Sequence, residues 1–374
     1  MNILSKYSLG LMVVLAGSLG SAQLVVADAL DATVQAKGGG KGPPDGGGGG
    51  GKGGGGGKKD KSTPEEDPPA EDPPAEDPPA EDPPAEDPPA EEPPVESPPE
   101  VSGTYYSWMN SDIQSAWDGG YVGQGVTITV VDDFGSASSF GGNLGDGGLT
   151  LRHGEWTLKQ AGMIAPGATM IADDFYSGDT VALAPGFNVL NLSYGMYANA
   201  IYDVSQIGWG AQEASIISYA QNGQAVISKA AGNDAVVVGG TNSDGNEDFL
   251  ATALIGAQSA IFVGALDWNG STDNQASLAW YSNTAGNNTT VQDQFLVVGV
   301  DGGTTGLYGT SFAAPIVSGY AAIVSSKFTT ASATQVASQL LTTARQDTIL
   351  GYNAALHGQG EACISCALAP VSVN

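Results

Sequence analysis

The chain has 374 residues, a formal charge of −28 and a 41% hydrophobic composition. That length holds one sizeable folded domain with sequence to spare. The acid excess argues against nucleic acid and anionic membranes as partners, because like charges repel, and it says nothing about the fold.

Met1 to Ala29 reads as a secretory signal. Lys6 lies in a short basic start, an apolar run Leu9–Ala16 follows, and small residues come next, with cleavage expected after Ala22 or Ala29. A membrane anchor needs about 20 unbroken apolar residues. This run is shorter, and no later segment is expected to span a bilayer. The expectation is an exported protein, secreted or periplasmic. Residues 30–103 read as a disordered linker. Residues 38–57 are nearly all Gly with interspersed Lys and cannot bury apolar surface. The unit Asp67-Pro68-Pro69-Ala70-Glu71 then occurs five times, to Glu91. Paired prolines and repelling acids favour an extended polyproline II rod, best read as an inert spacer.

Residues 104–374 read as the folded domain. Tyr105–Gly120 resembles an opening helix anchored by Trp108, Ile113 and Trp117. Gly123-Gln124-Gly125 leads into a β-branched strand, Val126–Asp133, that ends in carboxylates. Further strands are expected at Thr169–Asp174, Val189–Ser193, Ala225–Ala230, Ala260–Leu266 and Phe295–Val300. Helices are expected at 153–163, 211–222, 311–328 and 332–344. Strands alternating with helices imply an α/β fold: a doubly wound, mostly parallel sheet with helices on both faces. Ligands of such sheets bind outside the carboxyl ends of the strands. Asp132, Ser193 and Asn233 all fall there.

A serine hydroxyl is a weak nucleophile until a base takes its proton. The chain has two histidines, His153 and His357. His357 sits in a loose stretch, Leu356–Gly360, and is expected at the surface. His153 starts a helix, and taken alone it reads as a cap or surface residue. Ser311 follows Gly309-Thr310 and opens an apolar helix whose first turn accommodates Pro315. Alone it reads as a capping serine. Cys363 and Cys366 are expected to form a local disulfide in an exported protein; a redox pair or a metal site would need surroundings that are not evident.

Several segments together resemble the subtilases, the subtilisin-like serine proteases. Tyr308-Gly309-Thr310-Ser311-Phe312-Ala313-Ala314-Pro315 resembles their nucleophile motif. Leu151–Leu158, running on to Ala165-Pro166-Gly167-Ala168, is similar to their histidine helix. Val126–Asp132 is similar to the strand that ends in their aspartate. Asp133 is the alternative for that role, although in the kexin and furin branch the first of two adjacent aspartates carries it. Ser228–Asp234 resembles the oxyanion-asparagine segment, and Asn191–Gly195 the strand that pairs with substrate. Val263–Asp267 and Tyr281–Gly286 add further likeness, so the resemblance covers about residues 105–345.

The resemblance implies a triad of Asp132, His153 and Ser311, in the Asp, His, Ser order of subtilisin. It implies an oxyanion site made by Asn233 and the Ser311 N–H. Ser193, Tyr194 and Gly195, with Ala230, Ala231 and Gly232, would bind substrate and line the primary pocket. Asn191 could be a glycosylation acceptor by its motif, but a strand interior is a poor place for a glycan. Sedolisins, with glutamate and aspartate in place of the histidine and oxyanion asparagine, fit less well. The implied activity is a secreted endopeptidase working through an acyl-enzyme on protein or peptide substrates, as a monomer. No cofactor or metal is implied for the chemistry. Structural calcium is common in the family, and turns 242–248 and 267–273 are rich in oxygen ligands, though as residues they read as solvated acidic loops. Three departures stand out: Asp133-Phe134-Gly135 after the strand, Glu155-Trp156 after His153-Gly154, and no evident folded pro-domain. They motivate a rival reading, a catalytically degenerate subtilase-fold binding or scaffold protein. Esterase or transpeptidase activity on the same acyl-enzyme is a third.

Overall fold

The computed structural model describes residues 5–8 and 103–373. The glycine-rich and proline-rich stretches, and most of the segment read as a signal, lie outside the described residues. In chain order the strands are β1 (Ser5–Ser8), β2 (Val126–Asp132), β3 (Phe140–Gly142), β4 (Leu149–Leu151), β5 (Thr169–Asp174) and β6 (Phe187–Leu192). They continue with β7 (Tyr194–Asn199), β8 (Val226–Ala230), β9 (Asn246–Asp248), β10 (Ala260–Leu266) and β11 (Phe295–Gly299). The helices that matter most to the site and its packing are α1 (Asp112–Asp118), α2 (His153–Ile164), α3 (Ala211–Gln221), α4 (Phe249–Leu254), α5 (Ala314–Lys327) and α6 (Ala333–Thr342).

Six strands form a parallel sheet in the order β11-β10-β8-β6-β2-β5. Its inner strands are buried on both faces, as helix-covered parallel strands are, and mostly apolar. Successive residues serve two cores. Ile261, Val263 and Ala265 of β10 join Ile316, Val317 and Val336 of α5 and α6. Phe262 and Leu266 of the same strand join Ile216 of α3 and Leu250 of α4 on the opposite face. The fold is therefore doubly wound α/β. α5 is buried along nearly its whole length, which follows from its run of Ala, Val, Ile and Gly. Gly319 lets it approach α2, since a Cβ there would lie 2.3 Å from Ile164. Two smaller sheets flank the large one: the hairpin β3-β4 and an antiparallel group ordered β1-β7-β9.

Two expectations need correction. The opening helix spans only Asp112–Asp118. Before it, Trp108 instead turns its indole N–H to the Leu144 carbonyl at 2.8 Å. His357 is buried, at 2% exposure. Its ring stacks on Tyr352, and it ends a one-turn helix, Ala354–His357, capped by Asn353. Cys363 and Cys366 are joined in a disulfide. Among the described residues no helix is long and apolar enough to cross a membrane.

Glu361 gives a stability prediction. It is 3% exposed, and its Oε1 accepts from the Gly270 N–H at 2.9 Å. Burial pushes its pKa up to about 7, against the Gly270 N–H and the Arg345 charge that hold it down. Its pKa is raised on folding, so its contribution is complete at acid pH and is lost as pH rises towards 7. Glu361→Gln should match the parent at pH 4 and exceed it by about 3 kcal/mol at pH 8, read by urea unfolding.

Candidate active site

Three neighbouring strands, β2, β6 and β8, bring their carboxyl ends to one edge of the sheet. Asp132 ends β2, Ser193 follows β6, and Asn233 follows β8. His153 begins α2, and Ser311 lies in a 3-10 turn, Thr310–Phe312, just ahead of α5.

Asp132 is fully buried, and its Oδ1 lies 2.6 Å from His153 Nδ1. The same oxygen accepts from the Asp133 N–H at 2.7 Å, and Oδ2 accepts from the Thr157 hydroxyl at 3.1 Å. Of the two adjacent aspartates, then, it is Asp132 that meets the imidazole. Asp133 turns away and accepts from the Ser136 N–H and hydroxyl. Burial pulls the His153 pKa down, but the charge and hydrogen bond of Asp132, with the charge of Asp133, outweigh it. The net shift is upward. His153 Nε2 is buried and has no hydrogen-bond partner in the structure.

The departures around the histidine are structural. Glu155 caps α2, accepting from the Arg152 N–H at 2.7 Å and pairing with its guanidinium at 3.0 Å. Trp156 is fully buried and donates to the Phe140 carbonyl at 3.1 Å. Gly154 must be glycine here, because a Cβ would lie 2.8 Å from the Asp133 carbonyl oxygen.

Ser311 is 1% exposed. Its hydroxyl donates to the Ser193 carbonyl at 3.2 Å, while the Ser193 hydroxyl donates to the Ser311 carbonyl at 2.9 Å. Asn191 steadies this exchange: its amide donates to Ser193 Oγ at 2.9 Å, and its Oδ1 accepts from Ser318 of α5 at 3.1 Å. Asn191 is fully buried. The structure thus brings Ser193 to Ser311 through side chains as well as backbone. The His153 and Phe312 rings are 5.8 Å apart.

Asn233 Oδ1 accepts from the Thr310 N–H at 2.8 Å and the Thr310 hydroxyl at 3.0 Å. This fixes the amide plane, with the NH₂ on the side away from Thr310. Gly309, at φ 116°, lets the chain pass close by, where a Cβ would lie 3.1 Å from Asn233 Nδ2. Asn283 holds the loop. It accepts from the N–H groups of Asp234 and Val236 at 3.0 and 3.1 Å and donates to the Ala231 carbonyl at 2.9 Å. Ala230 and Ala231 are buried, and Gly232, at φ 114°, backs onto Asn283. Tyr194 points its ring into the second core against Phe175, so it offers the site only its backbone. On β7, Tyr194, Gly195, Met196 and Tyr197 pair antiparallel with residues 5–8 of the same chain.

Thr157, Asn191, Thr310 and Asn283 support the site; Asn191 and Thr310 lie in segments expected there, but none of the four carries an expected role. Thr157 could have been found: it lies one helical turn from His153, on the same face of α2. Thr157→Val keeps the shape and removes one donor to a buried charge. A loss of about ten-fold in turnover is expected, with KM unchanged and recovery in Thr157→Ser. Steady-state kinetics on a peptide substrate would check it.

The turns considered for calcium are otherwise engaged in part. Asp248 pairs with the fully buried Lys229 at 2.8 Å. Among the described residues no group of three or more His, Cys, Asp or Glu side chains is arranged to hold a metal ion.

The family model described as the subtilase family matches residues 166–361. This span includes Asn233 and Ser311 but not Asp132 and His153. No curated protein matches the chain. Among solved structures, the prenylagaramide maturation protease PagA is similar at 17% identity and a TM-score of 0.45, over 69% of this chain and 98% of that one. Fervidolysin from Fervidobacterium pennivorans, a keratinolytic enzyme related to subtilisin, is similar at 21% identity and a TM-score of 0.44, over 69% of this chain and 44% of that one.

Proposed function

The chain belongs to the subtilase family, and from that premise we propose that it is an exported serine endopeptidase working through an acyl-enzyme. The observation that carries this reading is the state of His153. One ring nitrogen is held by a buried carboxylate and the other is buried without a partner. An imidazole so placed is oriented to take a proton at Nε2.

In the proposed reaction the Ser311 hydroxyl leaves the Ser193 carbonyl and turns to His153. Ser311 Oγ bonds to the substrate carbonyl carbon as its proton passes to His153 Nε2. Asp132 holds Nδ1–H and stabilises the imidazolium. The oxyanion is met by the Asn233 amide and the Ser311 N–H. The C–N bond then breaks, and the leaving amine takes the proton from His153. Water next attacks the acyl carbon and gives its proton to His153; the bond from that carbon to Ser311 Oγ then breaks, the acid leaves, and His153 returns the proton to Ser311 Oγ. An extended substrate would lie along β7, whose edge accepts an antiparallel strand from residues 5–8. Export rests on the basic start, apolar run and small residues of Met1–Ala29.

The test is labelling of the purified protein with a fluorophosphonate probe, beside hydrolysis of an unstructured protein. Labelling and cleavage would support the reading. Folded protein that does neither would overturn it in favour of a peptide-binding module. The Ser311 hydroxyl bound to Ser193 rather than His153 is the observation that favours that rival.

A further inference from the structure

In the proposed reaction the substrate residue before the scissile bond would enter between two backbone segments, 193–195 and 230–232. Tyr197 enters this space from β7. It is 9% exposed, and its ring packs with Ala230 and with Ala314 at the start of α5. The ring also lies under Gly195: a Cβ on Gly195 would be 2.5 Å from Tyr197 Cε2 and 2.9 Å from Asp248 Oδ2. The Tyr197 hydroxyl reaches Asp234, on the far side of the loop, at 3.5 Å.

Asp248 closes the floor. Its Oδ2 accepts from Lys229 Nζ at 2.8 Å, and its Oδ1 accepts from the Met196 N–H at 2.9 Å. Lys229 Nζ also donates to the Ala230 carbonyl at 2.8 Å. An ion pair buried this deeply, with its remaining bonds made to backbone, is costly to break from one side. The floor is therefore fixed, and neither charge is offered to a ligand.

We infer that Tyr197 is the specificity-determining residue of this site, filling the primary pocket so that only glycine, alanine or serine fits before the scissile bond. This rests on the reading of Ser311 as the nucleophile. A larger side chain would have to displace a ring held between Gly195, Ala230 and Ala314. In close-packed surroundings that displacement is costly.

The experiment is the cleavage profile of the purified chain on a library of unstructured peptides. Tyr197→Ala and Tyr197→Phe would be measured beside it, with thermal melting as the check on folding. The parent should cleave after Gly, Ala or Ser at least about ten-fold faster, in kcat/KM, than after Leu or Phe. Tyr197→Phe should keep that profile, since the ring remains. Tyr197→Ala should raise cleavage after Leu and Phe by about ten-fold or more and leave fluorophosphonate labelling in place. A parent that prefers large apolar or charged residues at that position overturns the inference, whether or not Tyr197→Ala folds. So does a folded Tyr197→Ala with an unaltered profile. Failure of the premise looks different: no labelling and no cleavage by any form.

Discussion

Ser311→Ala should abolish fluorophosphonate labelling and lower peptide hydrolysis by about 10⁶-fold, the scale for removing the nucleophile from such a triad. His153→Ala should cost about as much. Combining the two should cost no more than either alone, because the pair acts as one unit. Burial of both residues raises a question of folding, and the hydrogen bonds answer it differently for each. Ser311→Ala loses only the hydroxyl and its one bond to the Ser193 carbonyl. The reciprocal bond from Ser193 goes to the Ser311 backbone and survives. His153→Ala leaves the buried Asp132 carboxylate with the Asp133 N–H and the Thr157 hydroxyl, so the fold should persist with reduced stability. Single-turnover kinetics with circular dichroism would measure both. A residual rate within ten-fold of the parent in Ser311→Ala would remove that residue from the chemistry.

Asp132→Asn should lower turnover by about 10⁴-fold, because an amide cannot hold the required imidazole tautomer or stabilise its cation. It should also move the pH profile. A neutral His153 is needed as the base, so in the parent kcat/KM rises with pH through a midpoint above 6.5, the direction in which the Asp132 charge drives it. Without that carboxylate only burial and the weaker influence of Asp133 remain, and burial lowers the midpoint. The profile of Asp132→Asn should therefore shift to lower pH. Asp133→Asn should shift it far less, Asp133 being the smallest of the influences on His153. The decisive measurement is kcat/KM from pH 5 to 9 for all three proteins. An equal shift from both substitutions would return the choice between the two aspartates to open ground.

Most of the central sheet was legible because every strand except the half-exposed edge strand β5 is largely buried, which writes each as a mainly apolar run between turn residues. β5 and β10 fall where the residues placed them, Thr169–Asp174 and Ala260–Leu266. The strands β3, β4, β7 and β9 carry no such run. They are short or glycine-bearing, and their pairing is set by tertiary contacts. His357 was misplaced for a similar reason: a loose-looking stretch becomes one capped turn packed under Tyr352. At the site, residues whose backbone position follows from a strand or helix end could be placed from the sequence. The partners of Asn191, itself in an expected strand, and of Asn283 could not, since Ser318 of α5 and the 231–236 loop are distant from them in the chain. Nor could Tyr197, whose ring direction depends on how β7 crosses the end of β8.

The Ser193–Ser311 exchange has a kinetic meaning. On the proposed mechanism the hydroxyl of Ser311 has two destinations, the Ser193 carbonyl and His153 Nε2, and the structure shows it at the first. Turnover would then scale with the fraction of molecules that have made the turn, a tax on the apparent rate that is lifted when the second rotamer becomes the ground state. A peptide lying along β7 borders Ser193 directly. By taking up or displacing that carbonyl, substrate could release the nucleophile it is about to meet, leaving the enzyme idle towards molecules too short to reach the strand.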